Sequence, residues 1–366
     1  MRFAFLTELY YPNLGGQEVF FQELAEAMVR RGHSVDVFCI GHDRALPVAE
    51  TINGVRLQRN PLTDTYLTPR FPALRRNWGA VTRYSNWVRR QVIAGGYDFH
   101  LLNQWPLLHI PAMPRKLRPR TAIHWCEIRE DPILTRAQRR LPLLAGSNFA
   151  VSNAVAVAIT EQSGRECGVL PSGIELSRYR SAPRDERSGA LYVGRVAPHK
   201  NLQLLIDAFV LAADRGFAGD LVIAGDGPSR SDIEEYAKRS ALASRIRVPG
   251  SVTEEQKIDL LSRAAVLGMS SQREGFPRVI AEAMASGLPV VTADFAENGA
   301  KDVVAQYGAG VVCGTDPSEF ADALLAAQAQ WDQFSQAGLT GAKALDWSGI
   351  AQSLETRALE VNGRRQ

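Results

Sequence analysis

Two glutamates with seven residues between them, Glu274 and Glu282, bracket a stretch that leaves one loop and opens a helix: Glu274-Gly275-Phe276-Pro277-Arg278-Val279-Ile280-Ala281-Glu282. Pro277 suits the first turn of a helix, where a missing N–H costs nothing. A helix start presents free N–H groups and a partial positive charge, so Gly275, Phe276, Pro277 and Arg278 mark an anion site. A carboxylate just before that start and another about two turns along can each accept hydrogen bonds from hydroxyls. Such a set could hold a phosphorylated, polyhydroxylated ligand. A second set lies upstream in Gly194-Arg195-Val196-Ala197-Pro198-His199-Lys200-Asn201. Arg195 can fork onto two phosphate oxygens, and Lys200 adds a second positive charge. No Asp-x-Asp occurs in the chain, so two cations can stand in for a metal clamp.

The elements around these residues repeat one alternation. Gly287 suits a helix C-terminal cap, and residues 288–293 read as a buried parallel strand. Far upstream, residues 2–7 form a strand, followed by a loop containing Gly15 and Gly16. A helix with Val19, Phe20, Leu24, Ala27 and Met28 on one face comes next, then a strand at 33–40. That is one βαβ unit, and it opens a doubly wound domain. Paired glycines let a ligand approach the backbone closely, although the Gly-x-Gly-x-x-Gly fingerprint is absent. Strands at 97–103 and 121–125 follow. The second ends at His124, and the carboxyl end of a parallel strand is where open sheets bind ligands. Residues 125–131 match no assignable pattern, and acceptor specificity is expected there. The polar run 176–189 reads as an interdomain linker. Residues 190–194 begin a second βα alternation, with a helix at 202–213, a strand at 220–224 and a turn at 225–228.

Between 71 and 92 the periodicity predicts a helix. Leu74, Trp78, Val81, Ser85, Val88 and Val92 form an inward stripe, and Arg76, Arg83 and Arg90 form an opposite ridge beside Arg75 and Arg89. A solvated face is the default meaning of such a ridge; an anionic membrane surface or an anionic acceptor is the sharper one.

The chain has 366 residues, enough for two domains with separate cores, and its 45% hydrophobic and 22% charged content is that of a globular protein. Six lysines among 42 basic residues leave 36 arginines, and the net charge of +3 is too small to argue for a nucleic-acid partner. Four scattered cysteines have no metal-ligand spacing and fit a reducing compartment. Met1 leads directly into the first strand, and no apolar run reaches the length of a membrane span, so a cytoplasmic protein is expected, with peripheral contact at the inner face of the membrane.

Taken together, the Glu274-x7-Glu282 string, the Arg195…Lys200 loop and the Pro-Asn-Leu-Gly-Gly start resemble the retaining glycosyltransferases of family 4 (glycosyl transferases group 1). The similarity is firmest over 190–294. It implies the GT-B fold: two Rossmann-like, doubly wound α/β domains facing a central cleft, with a C-terminal helix crossing back to the N-terminal domain. The expected bounds are 1–175 for the N-terminal, acceptor-side domain, 176–189 for the linker, 190–345 for the nucleotide-sugar domain and 346–366 for the returning helix. The resemblance places Glu274 and His124 by the donor sugar, Glu282 on the nucleotide ribose, and Arg195 and Lys200 on the donor diphosphate. It sets Gly15 and Gly16 facing the cleft, and Val248 and Gly250 on the nucleobase side. Residues 294–302 depart from the family's usual Gly-Gly and glutamate. The implied partner is a UDP- or GDP-linked sugar donor with a hydroxyl acceptor, and no cofactor or metal is implied. A nucleotide-sugar epimerase of similar fold and a catalytically silent nucleotide-sugar-binding homologue are the alternatives.

Overall fold

The computed structural model describes residues 1–13, 15–60, 76–129 and 131–363. The chain forms two compact units, Met1–Gly173 together with Trp347–Gln366, and Ile174–Asp346.

The first unit is built on an eight-stranded sheet. Its strands are β1 (Arg2–Leu6), β2 (Ser34–Ile40), β3 (Ala49–Ile52), β4 (Val55–Asn60), β5 (Phe99–Asn103), β6 (Thr121–Trp125), β7 (Ser147–Ala150) and β8 (Gly168–Val169), in the order β3-β4-β2-β1-β5-β6-β7-β8. Every pairing is parallel except β3 with β4. Helices cover both faces of such sheets, so the strands read as continuous apolar runs. The chain winds outward from β1 through β2 and β4, then returns and winds the other way from β5. The direction reverses between β1 and β5, which pair as Leu6↔Leu102.

Helix α1 (Gly16–Arg30) buries Phe20, Phe21, Leu24, Ala25, Ala27 and Met28 on this sheet. The terminal helix Trp347–Gly363 buries Trp347, Ile350, Ala351, Leu354 and Ala358 in the same core, a helical stripe in sequence and in space. Trp347 Nε1 donates to Glu23 Oε2 at 2.7 Å, and Arg31 Nε donates to Glu355 Oε2 at 2.9 Å.

Helix α2 (Trp78–Gly95) begins later than the periodicity predicts, because Asn77 caps it by accepting from the Ala80 amide at 3.1 Å. Its inward stripe of Val81, Ser85, Val88 and Val92 is buried as expected. The arginine ridge is not continuous. Arg83, Arg89 and Arg90 are exposed, but Arg76 precedes the helix, pairs with Glu8 at 2.6 Å and lies 4.0 Å over the Trp105 ring. Leu74 and Arg75 lie outside the described residues. Among the described residues no helix is long and apolar enough to cross a membrane.

The second unit contains a six-stranded, all-parallel sheet made of β9 (Ala190–Val193), β10 (Leu221–Ala224), β11 (Ile246–Gly250), β12 (Val266–Met269), β14 (Val290–Ala293) and β16 (Gly310–Cys313), ordered β11-β10-β9-β12-β14-β16. Two short strands, β13 (Arg273–Glu274) and β15 (Glu297–Asn298), pair apart from it. The winding reverses between β9 and β12, neighbours in the register Leu267↔Leu191. Both units are thus Rossmann-like.

Residues 176–189, expected as a linker, are packed into the second unit, which begins at Ile174. The buried Arg187 guanidinium donates to the carbonyls of Ala182, Leu261, Ala264 and Ser286 and to Ser181 Oγ, and stands 5.1 Å from the Trp331 ring centre. Burial pulls its pKa down to about 10. One side chain therefore ties this segment to three others.

Candidate active site

Ligands of doubly wound sheets bind beyond the carboxyl ends of the strands, where the winding reverses. In the second unit that point lies beyond β9 and β12, and the residues singled out in the sequence lead out of those two strands. The first loop is fixed from beneath. The Gly194 amide donates to Ala224 O at 3.0 Å, the Val196 amide to Asp226 O at 2.9 Å, and the Tyr192 hydroxyl to Arg195 O at 2.9 Å. A side chain at Gly225 would stand 1.8 Å from Gly194 O, so this close approach of two turns requires glycine. The Arg195 side chain is left exposed. Asn201, at φ 51°, then turns the chain from the short turn Pro198–Lys200 into the helix Leu202–Asp214, a left-handed position that asparagine tolerates.

The loop after β12 is stitched to this one. The hydroxyl of buried Ser270 donates to Lys200 O at 2.9 Å, and the Gln272 amide donates to His199 O at 2.8 Å. Those anchors bring Lys200 Nζ to 2.5 Å from Glu274 Oε1. Glu274 is itself held in β13, opposite Asn298, and its carbonyl accepts from the Gly299 amide at 2.9 Å. Burial raises the pKa of the Tyr192 phenol, and the charge of Glu274 raises it further. Burial lowers that of His199, with Lys200 adding to the effect.

Beyond Glu274, Pro277 is the N-cap of the helix Arg278–Ala285, one position earlier than the first-turn place expected for it. Gly287, at φ 63°, follows the cap residue Ser286, and the Leu288 amide reaches back to Ala283 O at 2.9 Å. Glu282 projects from this helix and is 4% exposed. Its Oε1 accepts from Lys257 Nζ at 3.0 Å and lies 3.6 Å from Arg278 Nε. Lys257 comes from the helix Glu254–Arg263 and also pairs with Glu254 at 3.0 Å. Two carboxylates, each bonded to a lysine ammonium, thus stand on either side of a helix start. This arrangement can receive phosphate at the ammonium groups and hydroxyls at the carboxylates.

Gly250 ends β11 at φ 83° and accepts from the Gly225 amide at 2.8 Å, so it joins the same row of strand ends. Val248 is half-buried against the core. Among the described residues no three His, Cys, Asp or Glu side chains converge as metal ligands would. A hollow of about 520 Å³ among Asp207, Val210, Leu211, Tyr236 and Pro317 contains none of these residues.

The first unit has a corresponding point beyond β1 and β5. Thr7 Oγ1 accepts from Asn103 Nδ2 at 3.2 Å, and Gln104 Oε1 accepts from the amides of Cys126 and Glu127. Trp105 Nε1 donates to Glu127 Oε1 at 3.1 Å, and Arg129 pairs with Glu127 at 2.9 Å. With Glu8 and Arg76, these residues make a polar cluster around one indole. Gly15 is the N-cap of α1, and at exposed Gly16 the place of a side chain is open space. His124 is corrected by the structure. It is fully buried, stacks on Phe20 with ring centres 4.1 Å apart, and bonds through Nε2 to Leu170 O at 2.9 Å. Burial holds its pKa near 4. That is a core histidine with no surface toward a ligand.

Sequence reasoning missed Lys257 and Trp105, gave no role to Ser270 or Asn298, and reached Glu127 only as part of the unassigned stretch 125–131. For Lys257 there was one usable signal. In a chain with six lysines and 36 arginines, a retained lysine marks a place for a compact ammonium, and two of the six bind the two site glutamates.

Comparison with known proteins identifies the family and the fold. The family model of glycosyl transferases group 1 matches residues 174–337, and that of glycosyltransferase family 4 matches residues 14–178. The chain is 22% identical to the phosphatidylinositol N-acetylglucosaminyltransferase GPI3 subunit of Saccharomyces cerevisiae, over 79% of this chain and 67% of that protein. It is 26% identical to the D-inositol 3-phosphate glycosyltransferase of Thermomonospora curvata, over 85% of this chain and 81% of that protein. The structure of Anabaena HepE in complex with UDP shares its fold, with a TM-score of 0.73 at 19% identity over 97% of this chain and 99% of that one.

Proposed function

The chain belongs to the glycosyltransferases of family 4, group 1, with the GT-B fold, and on that premise we propose that it moves a sugar from a UDP- or GDP-linked donor to a hydroxyl acceptor, with retention and without a metal ion. The observation that carries this reading is the contact of Lys200 with Glu274. A sugar–phosphate bond lying against that pair meets an ammonium on its phosphate side and a carboxylate on its sugar side. Glu282, on the far side of the helix start, takes the ribose hydroxyls. Arg195, Lys200 and the amides at Gly275–Arg278 stabilise the negative charge that grows on the departing diphosphate. Glu274 and Glu282 are both assigned to hydroxyl contacts and neither is left as an enzymatic nucleophile, so the acceptor oxygen attacks on the face the diphosphate leaves. The C–O bond to the phosphate breaks, the new C–O bond forms, and the leaving phosphate oxygen takes the acceptor proton.

The acceptor is placed at the polar cluster of the first unit, where Glu8 and Glu127 offer hydroxyl-binding carboxylates beside Trp105. The names of two relatives support a hydroxyl acceptor, since phosphatidylinositol and D-inositol 3-phosphate both carry ring hydroxyls. UDP in the HepE complex supports a nucleotide donor.

A thermal-shift screen of UDP- and GDP-sugars identifies the donor. The proton NMR coupling of the product's anomeric hydrogen, read before mutarotation with and without excess chelator, then tests the reaction. Retained configuration and unchanged turnover in chelator are expected. An inverted linkage overturns the same-face mechanism, and turnover that requires added divalent metal overturns the role given to Arg195 and Lys200.

A further inference from the structure

The helix Pro132–Arg140 of the first unit turns an uncommon face to solvent. Asp131 caps it by accepting from the Leu134 amide at 3.0 Å, and Pro132 opens it. One buried residue pins it. Gln138 donates to Arg129 O at 2.9 Å and to Gln162 Oε1 at 3.1 Å, and accepts from the Arg129 amide at 2.8 Å. Opposite that anchor Ile133, Arg136, Arg139 and Arg140 are all exposed, within an arc of about 120° at helical spacing. Ile133 is 78% exposed, and Leu143 in the following turn Leu141–Leu144 is 55% exposed.

The charge on this face is uncompensated. Arg136, Arg139 and Arg140 make no ion pair among the described residues, and no acidic residue occurs between positions 132 and 160. In sequence the flanking carboxylates are Glu127, Glu130 and the capping Asp131 before the helix and, toward the end of the adjoining helix Asn153–Ser163, Glu161; of these Glu127 is paired with Arg129. That second helix exposes Val157 as well, at 55%. A protein partner would have to supply a carboxylate for each guanidinium it desolvated and an apolar recess for each isolated side chain. An anionic lipid surface supplies both requirements by depth. Headgroup phosphates match the guanidinium fork, and the acyl boundary just beneath accepts isoleucine and leucine.

We propose that this face docks on an anionic membrane surface, with Arg136, Arg139 and Arg140 on lipid phosphates and Ile133 and Leu143 at the acyl boundary. It takes the place of the ridge expected along α2, which is interrupted at Arg76 and has one apolar neighbour, Ile93, 47% exposed at its end.

The test is co-sedimentation of the full chain with vesicles of phosphatidylcholine alone and of phosphatidylcholine mixed with phosphatidylglycerol. Wild type is expected to pellet with the mixed vesicles only. Arg136→Gln with Arg139→Gln and Arg140→Gln is expected to weaken binding on the order of 100-fold, taking each basic group near an anionic surface at its usual worth. Ile133→Ser with Leu143→Ser should weaken it at least tenfold. Arg83→Gln with Arg89→Gln and Arg90→Gln removes the same charge from α2 and should leave binding within about twofold. All these side chains are exposed, so melting temperatures should be unchanged. Absence of wild-type binding to mixed vesicles overturns the proposal. So does equal loss in the two arginine triples, which would mean bulk charge alone, or full binding by the serine pair, which would mean a surface that any polyanion satisfies. No donor or acceptor enters the assay, so its outcome is independent of the transfer reaction.

Discussion

Lys200 and Glu274 satisfy each other at 2.5 Å, yet in the proposed reaction each has a different client. The ammonium serves the diphosphate and the carboxylate serves the sugar, so removing the lysine strands a mostly buried carboxylate as well as a phosphate contact. Lys200→Met is therefore expected to lower kcat/KM by about 30- to 1000-fold, corresponding to a lost charge-stabilising group worth about 2–4 kcal/mol. Lys200→Arg should recover part of this. Steady-state kinetics within threefold of wild type for the methionine variant would remove Lys200 from the phosphate site. His124 gives the opposite expectation. His124→Gln can still donate to Leu170 O but loses the stack on Phe20, so it should lower the melting temperature, at a cost of about 1–3 kcal/mol, and leave kcat nearly unchanged below the melt. A large loss of kcat at unchanged melting temperature would return His124 to the site. The two residues also mark what could be read from sequence. Glu274, Glu282, Arg195 and Lys200 were singled out because phosphate and hydroxyl chemistry need those types close to a helix start, and the structure brings Lys200 onto Glu274 there. His124 was misread because the carboxyl end of a strand can turn its side chain into the core as well as out of it. Lys257 reaches Glu282 from a helix 25 residues away in sequence, and no local spacing encodes that contact.

The short pair β13 and β15 shows how an element can position a carboxylate, here the one proposed to face the sugar, with almost no sequence signature. Asn298 is buried, donates to Thr292 Oγ1 and Ala293 O, and accepts from the Ala300 amide, which fixes the stretch departing from the family pattern. Gly299 follows it against the backbone of the glutamate loop. An added methyl there would stand 2.4 Å from Gly275 O and 3.0 Å from Glu274 O, and neither carbonyl can move without moving Glu274. Gly299→Ala should thus cut kcat at least tenfold while costing about 1–3 kcal/mol of stability, because the strain falls on a surface loop. Activity at the wild-type level would mean that the position of β13 does not matter to turnover. The alternation of strands and helices was readable because the central strands of both sheets are parallel and buried on both faces, which leaves continuous apolar runs. Two boundaries were not. The start of α2 was set by an asparagine cap rather than by periodicity, and residues 176–189 looked like a linker because the polar Arg187 is satisfied by carbonyls that no sequence pattern reveals.

At the scale of the whole molecule, the titratable groups are divided unequally between the two units. Five of the six histidines lie in the first unit, and His100, His109 and His124 are fully buried there. Burial lowers their pKa values from 6.5 to about 4, 3 and 4 respectively. The unfolded chain takes up protons at these three positions below pH 6.5, and the folded unit does not until near pH 4. Their contribution to stability is therefore complete above pH 6.5 and is lost as the pH falls from 6.5 toward 4. At pH 5 this amounts to about 2 kcal/mol for each, a total comparable with the stability of a typical domain. Glu18, whose carboxyl is raised by burial, opposes the trend with a single group. Asp259 and Glu355, lowered by their arginine hydrogen bonds, give up their contributions only at more acidic pH. The second unit holds only His199, which is half-buried. Acidification should accordingly unfold the first unit near pH 5 while the second remains folded. Five of the six tryptophans, all but Trp331, belong to the first unit, so intrinsic fluorescence reports it almost alone. Hydrogen exchange read by mass spectrometry between pH 7 and 4.5 follows each unit separately. Amides of β1, β5 and β6 should lose protection together with the fluorescence change, and those of β9, β12 and β14 should keep it. Simultaneous loss in both sheets, or a fluorescence transition that begins only below pH 4, would show that the buried histidines do not govern the acid response.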